Sequence, residues 1–542
     1  MGSIGEPKPD YDVLIIGAGL SGIYSLYRMR ELGLKARVLE AASGEGGTWW
    51  WNRYPGCRFD SESYTYHFTF SQEVLDEWDW SEHFSPQSET LRYANYITDK
   101  FDLRKDMQFD TKVKTAHWQD DLHTWLLTDA SGKSYSSTFL ITAMGILNDP
   151  TLPNIPGVES FKGQAFHTSR WPHEWSMDGK RVGIIGTGAT AIQIIPELAK
   201  RPIESLTVFQ RTANWAAPLR NGKIDAEEMT DLRKRYPEII QACADSAGGF
   251  CYSMDTRKTM EVPEKERLAF WEDLYSQRGF AKWMGAFADH LTNREANKAF
   301  SDFNANKIRQ RLNDPAIAEK LIPQGHGFGT RRVPLETNYF EVYNRPNVRL
   351  VDYATDSPIE RITETGVVLA SGEKIELDCL VYATGFDAVT GALLRGIDMR
   401  GIGGTTLSEA WSEGVKTYLG LFVKGFPNMT MIMGPHQAFG NIPRSIEFAV
   451  DSVARFIKFC LDNGITYADA KEEGVQQWTD HVLKNSEGQL SNEVDSWLTG
   501  VNKNVAGKTV RFPVRYTGPG PLYRKTVNDV GDNGWKLLDL QK

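Results

Sequence analysis

The chain has 542 residues, of which 41% are hydrophobic and 24% charged, and a formal net charge of −9. That length predicts two or three domains, each burying its own core. The balance of apolar and charged residues predicts a soluble globular protein. A net-negative chain with scattered basic residues lacks the cationic face that a phosphate backbone needs, so nucleic acid is excluded as a partner.

Five cysteines, Cys57, Cys243, Cys251, Cys379 and Cys460, are few and form no Cys-x-x-Cys pair. They predict a reducing compartment and exclude a dithiol redox centre. The polar start MGSIGEPKPD is expected to carry no export signal, and Glu6 stands where a myristoylation motif has Ser or Thr. No apolar run approaches the length of a membrane span, and the final DLQK is no peroxisomal address. A cytoplasmic protein, monomeric or a weak homo-oligomer, with no membrane partner is expected. The ten histidines show no His-Glu-x-x-His spacing, so no metal site is predicted.

The first element is an apolar strand running into VLIIGAGLSG, with Gly17, Gly19, Ser21 and Gly22 at a strand–turn–helix junction. Such glycines permit a tight turn and let backbone N–H groups reach a pyrophosphate. A second strand, ARVLE, ends in Glu40, whose carboxylate suits a free ribose hydroxyl. This site therefore predicts FAD. About 170 residues further on, RVGIIGTGATA repeats the pattern with Gly186, Thr187, Gly188, Ala189, Thr190 and Ala191, and Gln193 follows in the helix. Here the next strand, LTVFQR, ends in Arg211 and Thr212, and a guanidinium pairs with a 2′-phosphate. The second site predicts NADPH.

Two further strands, FLITAMG (139–145) and CLVYATG (379–385), resemble each other, and each follows a turn and a polar strand. Both end in small residues, as strands do where they reach a bound dinucleotide. The second glycine turn lies between them. The expected fold is α/β, with two Rossmann-like doubly wound domains, the second inserted in the first, plus a helical subdomain. Residues 1–150 and 382–542 are assigned to the FAD domain and residues 151–217 and 328–381 to the NADPH domain. Residues 218–327 form the helical insertion, in which Leu232, Tyr236, Ile239 and Ile240, then Ile308 and Leu312, recur at helical spacing. Asp314 before Pro315 predicts a capped helix start, and QGHGFGT after it predicts a hinge.

Just before the second glycine turn lies FKGQAFHTSRWP, in which Phe161, Gly163, His167, Trp171 and Pro172 form F-x-G-x-x-x-H-x-x-x-W-P. This resembles the fingerprint of type I Baeyer–Villiger monooxygenases, in particular the phenylacetone and cyclohexanone monooxygenase group. The likeness extends to GGTWWWNRYPG, GTRR (329–332), ATGFD (383–387) and DSWLTG (495–500). It implies that NADPH reduces FAD, that oxygen adds to the flavin C4a, and that the resulting peroxide anion converts a ketone to an ester or lactone. Sulfide oxidation is a side activity it allows. Within this resemblance Arg332 is the catalytic arginine and Asp60 the carboxylate that holds it and also helps form the nicotinamide site. Thr48, Trp49, Trp50, Trp51 and Tyr66 line FAD, and Val113 contacts the adenine. Arg331 joins Arg211 and Thr212 at the 2′-phosphate, replacing a lysine common there, and Trp497 closes over NADP. The fingerprint residues link domain movement to catalysis without touching substrate.

The loop GPHQAFGNIPRSIE (434–447) corresponds to one beside the flavin, but His436, Gln437 and Phe439 depart from that group, which leaves the preferred ketone open. Two rivals remain at this point. An N- or S-oxygenating flavin monooxygenase shares both glycine turns, but Trp171 and Arg332 count against it. A flavin-binding module without catalysis would consume no NADPH in response to a ketone.

Overall fold

The computed structural model describes residues 8–542; the polar start, with its expected lack of an export signal, lies largely outside them. Two separate sheets carry the two glycine turns. In the first, the strand Tyr11–Ile16 lies between Ala36–Leu39 and Ser134–Thr142, parallel to both. Its core residues Val13, Leu14 and Ile15 are fully buried, as expected for a strand covered on both faces. The far side of Ser134–Thr142 pairs with Thr124–Asp129 over its first half and with Met429–Met431 over its last residues. Val113–Gln119 and Asp398–Arg400 extend that side, and Met107–Gln108 closes the opposite edge.

The second sheet is wholly parallel, in the order Val348–Asp352, Ser205–Gln210, Arg181–Ile185, Cys379–Tyr382 and Gln164–His167. The glycine-turn strand Arg181–Ile185 is again flanked by the strand that follows its helix and by one of the two look-alike strands. The look-alikes differ in what precedes them. Ser134–Thr142 is one continuous strand, polar half included. Lys374–Glu376 instead belongs to a small antiparallel sheet with Ile359–Thr363 and Gly366–Leu369, and is separated from Cys379–Tyr382 by Leu377 and Asp378. Asp378 breaks the run because its carboxylate grips the backbone and side chain of Arg181.

The chain crosses between the sheets twice, and the two crossings run antiparallel side by side. Thr151 donates its N–H to the Gly385 carbonyl (3.0 Å), Asp387 to Asp149 (2.7 Å) and Val389 to Ile146 (2.8 Å). Between the crossings and the second sheet's return lies a helical region containing Ala226–Asp245, Glu264–Ser276, Arg294–Arg309 and Pro315–Leu321. Asp314 caps the last of these, accepting from the Ala316 N–H at 2.8 Å, with proline at the first position where its missing donor costs nothing. Ile308 is in the preceding helix, but Leu312 is not. That helix ends at Arg309, and Arg311 beyond it is held by Glu336 and Glu341.

Returning to the first sheet, the helix Ile442–Asn463 packs on Leu20–Glu31, the helix of the first glycine turn. Its buried Ile446, Ala449, Val450, Val453, Phe456, Ile457 and Cys460 recur at three- and four-residue spacing, the pattern of a helix with one apolar face. It stops at Gly464, whose φ of +65° lets the last carbonyls be satisfied. No helix among the described residues is long and apolar enough to cross a membrane.

Candidate active site

Both glycine turns are forced by close backbone contact. A Cβ on Gly17 (φ +104°) would strike the carbonyl oxygen of Ala143, and one on Gly186 (φ +113°) would strike that of Ala383. Ala143 and Ala383 are equivalent positions at the ends of the two look-alike strands. At the first turn the packing is tighter still: a Cβ on Gly22 would overlap the Gly17 carbonyl, and one on Gly47 would come within 2.7 Å of the Gly19 Cα. Ser21 is buried in the first turn of the helix, which has no side-chain cap and no acidic residue at its start. Its N–H groups are thus left for an anion. Glu40 is buried, and its carboxylate accepts from the N–H groups of Ala18 (2.6 Å) and Ala42 (2.7 Å). Burial raises its pKa, against which both N–H groups act.

The second turn is looser. A Cβ on Gly188 would meet nothing within 4 Å, and Ala191, fully buried, fills the place of a third glycine. The helix Ala189–Ala199, which also carries Thr190, again starts without a side-chain cap. Thr187 donates to the Thr212 carbonyl at 3.0 Å. Gln193 reaches across to the segment that follows Trp51, accepting from the Tyr54 hydroxyl (2.8 Å) and donating to the Arg58 carbonyl (2.9 Å). Arg211 has one polar contact, to Asn504 at 3.3 Å. Arg331 has none, and its Nε is buried without a partner. Burial lowers the Arg331 pKa; Asp495 opposes this and the neighbouring Arg211 adds to it. Two adjacent guanidiniums, one of them unpaired, are what a 2′-phosphate site requires.

Between these turns lies the aromatic segment. Thr48–Trp51 forms one helical turn in which Thr48 is exposed and Trp49 is buried, donating its Nε1–H to the Tyr66 hydroxyl at 3.2 Å. Tyr66 stacks on Phe59, the Trp50 ring covers Gly44, and Trp51 lies under the Arg170 guanidinium at 4.2 Å. Val113 opens its strand, buried, opposite Asp129.

Arg332 and Asp60, 272 residues apart, meet: an Nη2–H of Arg332 donates to Oδ1 of Asp60 at 2.7 Å. The carboxylate side chain is 7% exposed and the guanidinium 43%. The pair is therefore anchored on its acidic side and open on its cationic side. The second Asp60 oxygen accepts from the Leu335 N–H at 3.4 Å, which fixes the chain just after the arginine. The glycine-rich stretch before it, expected as a hinge, is instead buttressed. Asn297 donates to the Phe328 carbonyl (2.9 Å), Ser301 accepts from the Phe328 N–H (2.8 Å), and Trp215 donates to the His326 carbonyl (2.9 Å). Gly327 serves close packing there: a Cβ on it would overlap the Asn297 side chain.

The fingerprint residues sit at the junction. Phe161 packs in the core of the second sheet, and Gly163 lets the chain pass against the Asp378 carbonyl and the Phe161 ring. His167 contacts Ser169 Oγ through Nδ1 (2.8 Å) and the Gly385 carbonyl through Nε2 (3.0 Å). It thereby ties the second sheet to the returning crossing. Burial pushes its pKa down to about 4, partly offset by the Gly385 carbonyl, so the ring is neutral at pH 7. Trp171 is buried edge-on between Phe166 and Trp175, with Pro172 half-buried beside it.

Trp497, half-buried, opens a short turn after a Ser496–Thr499 capping pair. Sequence reasoning missed what the following loop does. Asn502 donates to the Phe386 carbonyl at 3.0 Å, and Lys508 bonds Asp387 and Thr390, so the loop that carries Trp497 is seated on the returning crossing. Single polar residues in an aperiodic loop give no signal in sequence. The Tyr54–Gln193 contact was hidden for the same reason. Of the loop positions that depart from the resembling group, His436 and Gln437 point into the protein. Gln437 donates to the carbonyls of Gly420 and Met431 and accepts from the Met433 N–H, and His436 contacts Thr417. Only Phe439 stays half-buried.

These features match known proteins over the whole chain. A flavin-binding monooxygenase-like profile covers residues 10–224. The 2-oxo-Δ3-4,5,5-trimethylcyclopentenylacetyl-CoA monooxygenase of Pseudomonas putida is 43% identical over 98% of this chain and 99% of its own. A Baeyer–Villiger monooxygenase of Pseudooceanicola batsensis is 38% identical over 98% and 96%. The crystal structure of OTEMO in complex with FAD and NADP superposes with a TM-score of 0.94 at 42% identity, covering 99% of this chain and 100% of that one. With two opposed dinucleotide turns and a linking fingerprint between them, the chain belongs to the flavin-dependent Baeyer–Villiger monooxygenases.

Proposed function

We propose that this protein holds FAD and NADPH together and uses them with O2 to convert a ketone into an ester or lactone. The residues fit both groups. The first turn offers uncapped N–H groups and a carboxylate at the ribose position; Gly17, Gly19, Ser21, Gly22, Glu40, Thr48, Trp49, Trp50, Trp51, Asp60, Tyr66 and Val113 would hold FAD. The second offers Gly186, Thr187, Gly188, Ala189, Thr190, Gln193, Arg211, Thr212, Arg331 and Trp497 to NADPH, with the unpaired Arg331 as the clearest sign of an absent anion. When bound, the two groups supply a hydride and activate dioxygen.

The protein's own part is electrostatic. Arg332 presents a guanidinium that is anchored by Asp60 on one side and open on the other. It can stabilise negative charge on the attacking oxygen and on the tetrahedral adduct of the ketone, and a preorganised donor of this kind is worth roughly 3–4 kcal/mol. The Arg332–Asp60 contact at 2.7 Å is the observation that carries this reading. His167 and Trp171 would keep the two domains in register. In this reading residues 1–150 and 382–542 form the FAD domain, residues 151–217 and 328–381 the NADPH domain, and residues 218–327 the helical subdomain. A cytoplasmic location and a monomer or weak homo-oligomer complete it, the former resting on the cysteine-poor composition. The test is a panel of linear, cyclic and aromatic ketones with purified protein, FAD and NADPH, read by mass spectrometry. A product one oxygen heavier than its ketone is expected; NADPH oxidation with no such product for any ketone would refute the reading.

A further inference from the structure

The five cysteines form no Cys-x-x-Cys pair, yet the fold brings two of them together. Cys243 lies in the last turn of the helix Ala226–Asp245, and Cys251 follows the turn that leaves it. Eight positions apart in sequence, their Sγ atoms are 3.5 Å apart in space. Cys243 is 2% exposed, whereas Cys251 is open to solvent. The other three, Cys57, Cys379 and Cys460, are buried, and burial pushes each thiol up to about 12. Such thiols hold almost no thiolate at pH 7 and are inert.

The pair differs in both respects. A thiolate on one sulfur accepts the S–H of the other, and this contact holds the Cys243 thiol below its usual range, against burial and with help from Arg444. The first proton to leave belongs to both sulfurs, so the charge is shared with the exposed Cys251. A disulfide sets its sulfurs about 2.05 Å apart. The closure needed is about 1.5 Å, within reach of side-chain rotation at Cys251.

The turn between the two thiols packs on the loop 434–441. The Gly248 carbonyl accepts from the Asn441 N–H at 2.9 Å, and a Cβ on Gly440 would overlap that same carbonyl. On the other side the Ala247 carbonyl accepts from the Gly520 N–H at 2.9 Å. Within the turn, Ser246 Oγ accepts from the Phe250 N–H at 2.9 Å. Asn441 in turn donates to the Thr65 carbonyl at 3.0 Å, on the segment that begins with Asp60. The thiol pair thus closes the base of a turn that supports the surroundings of the Arg332–Asp60 pair.

We propose that Cys243 and Cys251 are a peroxide-sensitive modification site, where oxidation joins them in a reversible intramolecular disulfide that braces this turn. Hydrogen peroxide is the oxidant. The Cys251 thiolate attacks one peroxide oxygen, the O–O bond breaks, and the departing hydroxide takes up the thiol proton as water. Cys251 is then a sulfenic acid. The Cys243 sulfur attacks it, the S–S bond forms, the S–O bond breaks, and hydroxide leaves with the Cys243 proton as a second water. Two thiols lose two electrons, the peroxide gains them, and a dithiol reductant reverses the change. In a compartment that keeps thiols reduced, such a bond is transient and senses oxidant. The site does not depend on which ketone is oxygenated.

The experiment treats the flavin-loaded protein, reduced and desalted, with a small molar excess of hydrogen peroxide, then alkylates and digests it without reductant. Mass mapping is expected to find one peptide pair joined through Cys243 and Cys251 within a single chain and released by dithiothreitol, with Cys57, Cys379 and Cys460 still free. In Cys243→Ser, Cys251 should stop at the sulfenic acid and be trapped by dimedone. Hydrogen exchange of the peptide 246–250 should slow in the oxidised natural protein and stay unchanged in peroxide-treated Cys243→Ser. Two thiols left free, Cys251 carried to sulfinic acid without a link, a link between two chains, or equal links to other cysteines would each overturn the site. Linked protein whose 246–250 amides exchange as fast as before would overturn the bracing. The map of the natural protein decides the case even if a variant fails to retain flavin.

Discussion

The two glycine turns are built on one plan and finished differently. Each sets its first glycine against the carbonyl of an alanine that ends a neighbouring strand, Ala143 or Ala383. Around the first turn every position is closed: Gly22 against Gly17, Gly47 against Gly19, and the Glu40 carboxylate already bonded to two N–H groups. Around the second there is open space at Gly188, one contact of 3.3 Å on Arg211, and an unpaired Arg331. A site finished by its own backbone suits a resident cofactor. A site that leaves cations unmatched pays its cost until the ligand binds, and suits one that comes and goes.

The difference can be broken from either side. Gly22→Ala forces the first turn apart, since the new methyl would overlap the Gly17 carbonyl. The expected result is protein without flavin, read by loss of visible absorbance relative to protein absorbance. Gly188→Ala, whose methyl would meet no protein atom within 4 Å, is expected to retain flavin and to raise the KM for NADPH, because the methyl intrudes where the pyrophosphate approaches the backbone. Equal flavin loss in both variants would erase the distinction. Arg331→Ala removes a charge meant for the 2′-phosphate. The KM for NADPH should rise about 10- to 100-fold, the worth of one charged hydrogen-bonding partner, while that for NADH changes little. A parallel rise for both cofactors would remove Arg331 from the phosphate site.

A further test concerns pH. His436 is buried with φ +65°, and burial holds its pKa down to about 4, the Pro513 carbonyl acting weakly the other way. The folded pKa lies below the ordinary 6.5, so the unfolded chain takes up the proton first. The stability His436 lends is full above pH 6.5 and is lost as pH falls toward 4, at about 1.4 kcal/mol per pH unit. His436→Asn, which accepts a left-handed backbone, should flatten the fall of Tm between pH 6.5 and 5 relative to the natural protein. An unchanged slope would show that His436 does not titrate in this way.

Much of this architecture could be read from sequence because it is written in local rules. Gly17, Gly22 and Gly186 are demanded by steric contacts that no side chain tolerates, and Glu40 and Arg211 follow at the ends of short apolar strands. The cap at Asp314 is equally local. What could not be read depends on which segments meet. QGHGFGT reads as a hinge for its glycines, yet Gly327 admits the Asn297 side chain. The departures at His436 and Gln437 left the preferred ketone open in the sequence; in the fold both are turned inward to brace the loop.

The account turns on Arg332, and one rapid-mixing experiment addresses it. With Arg332→Ala, anaerobic reduction of the bound flavin by NADPH should proceed within a few-fold of the natural rate, while ester formation from a good ketone in air should fall about 10²–10³-fold. Ester formation at the natural rate in that variant would contradict the central claim.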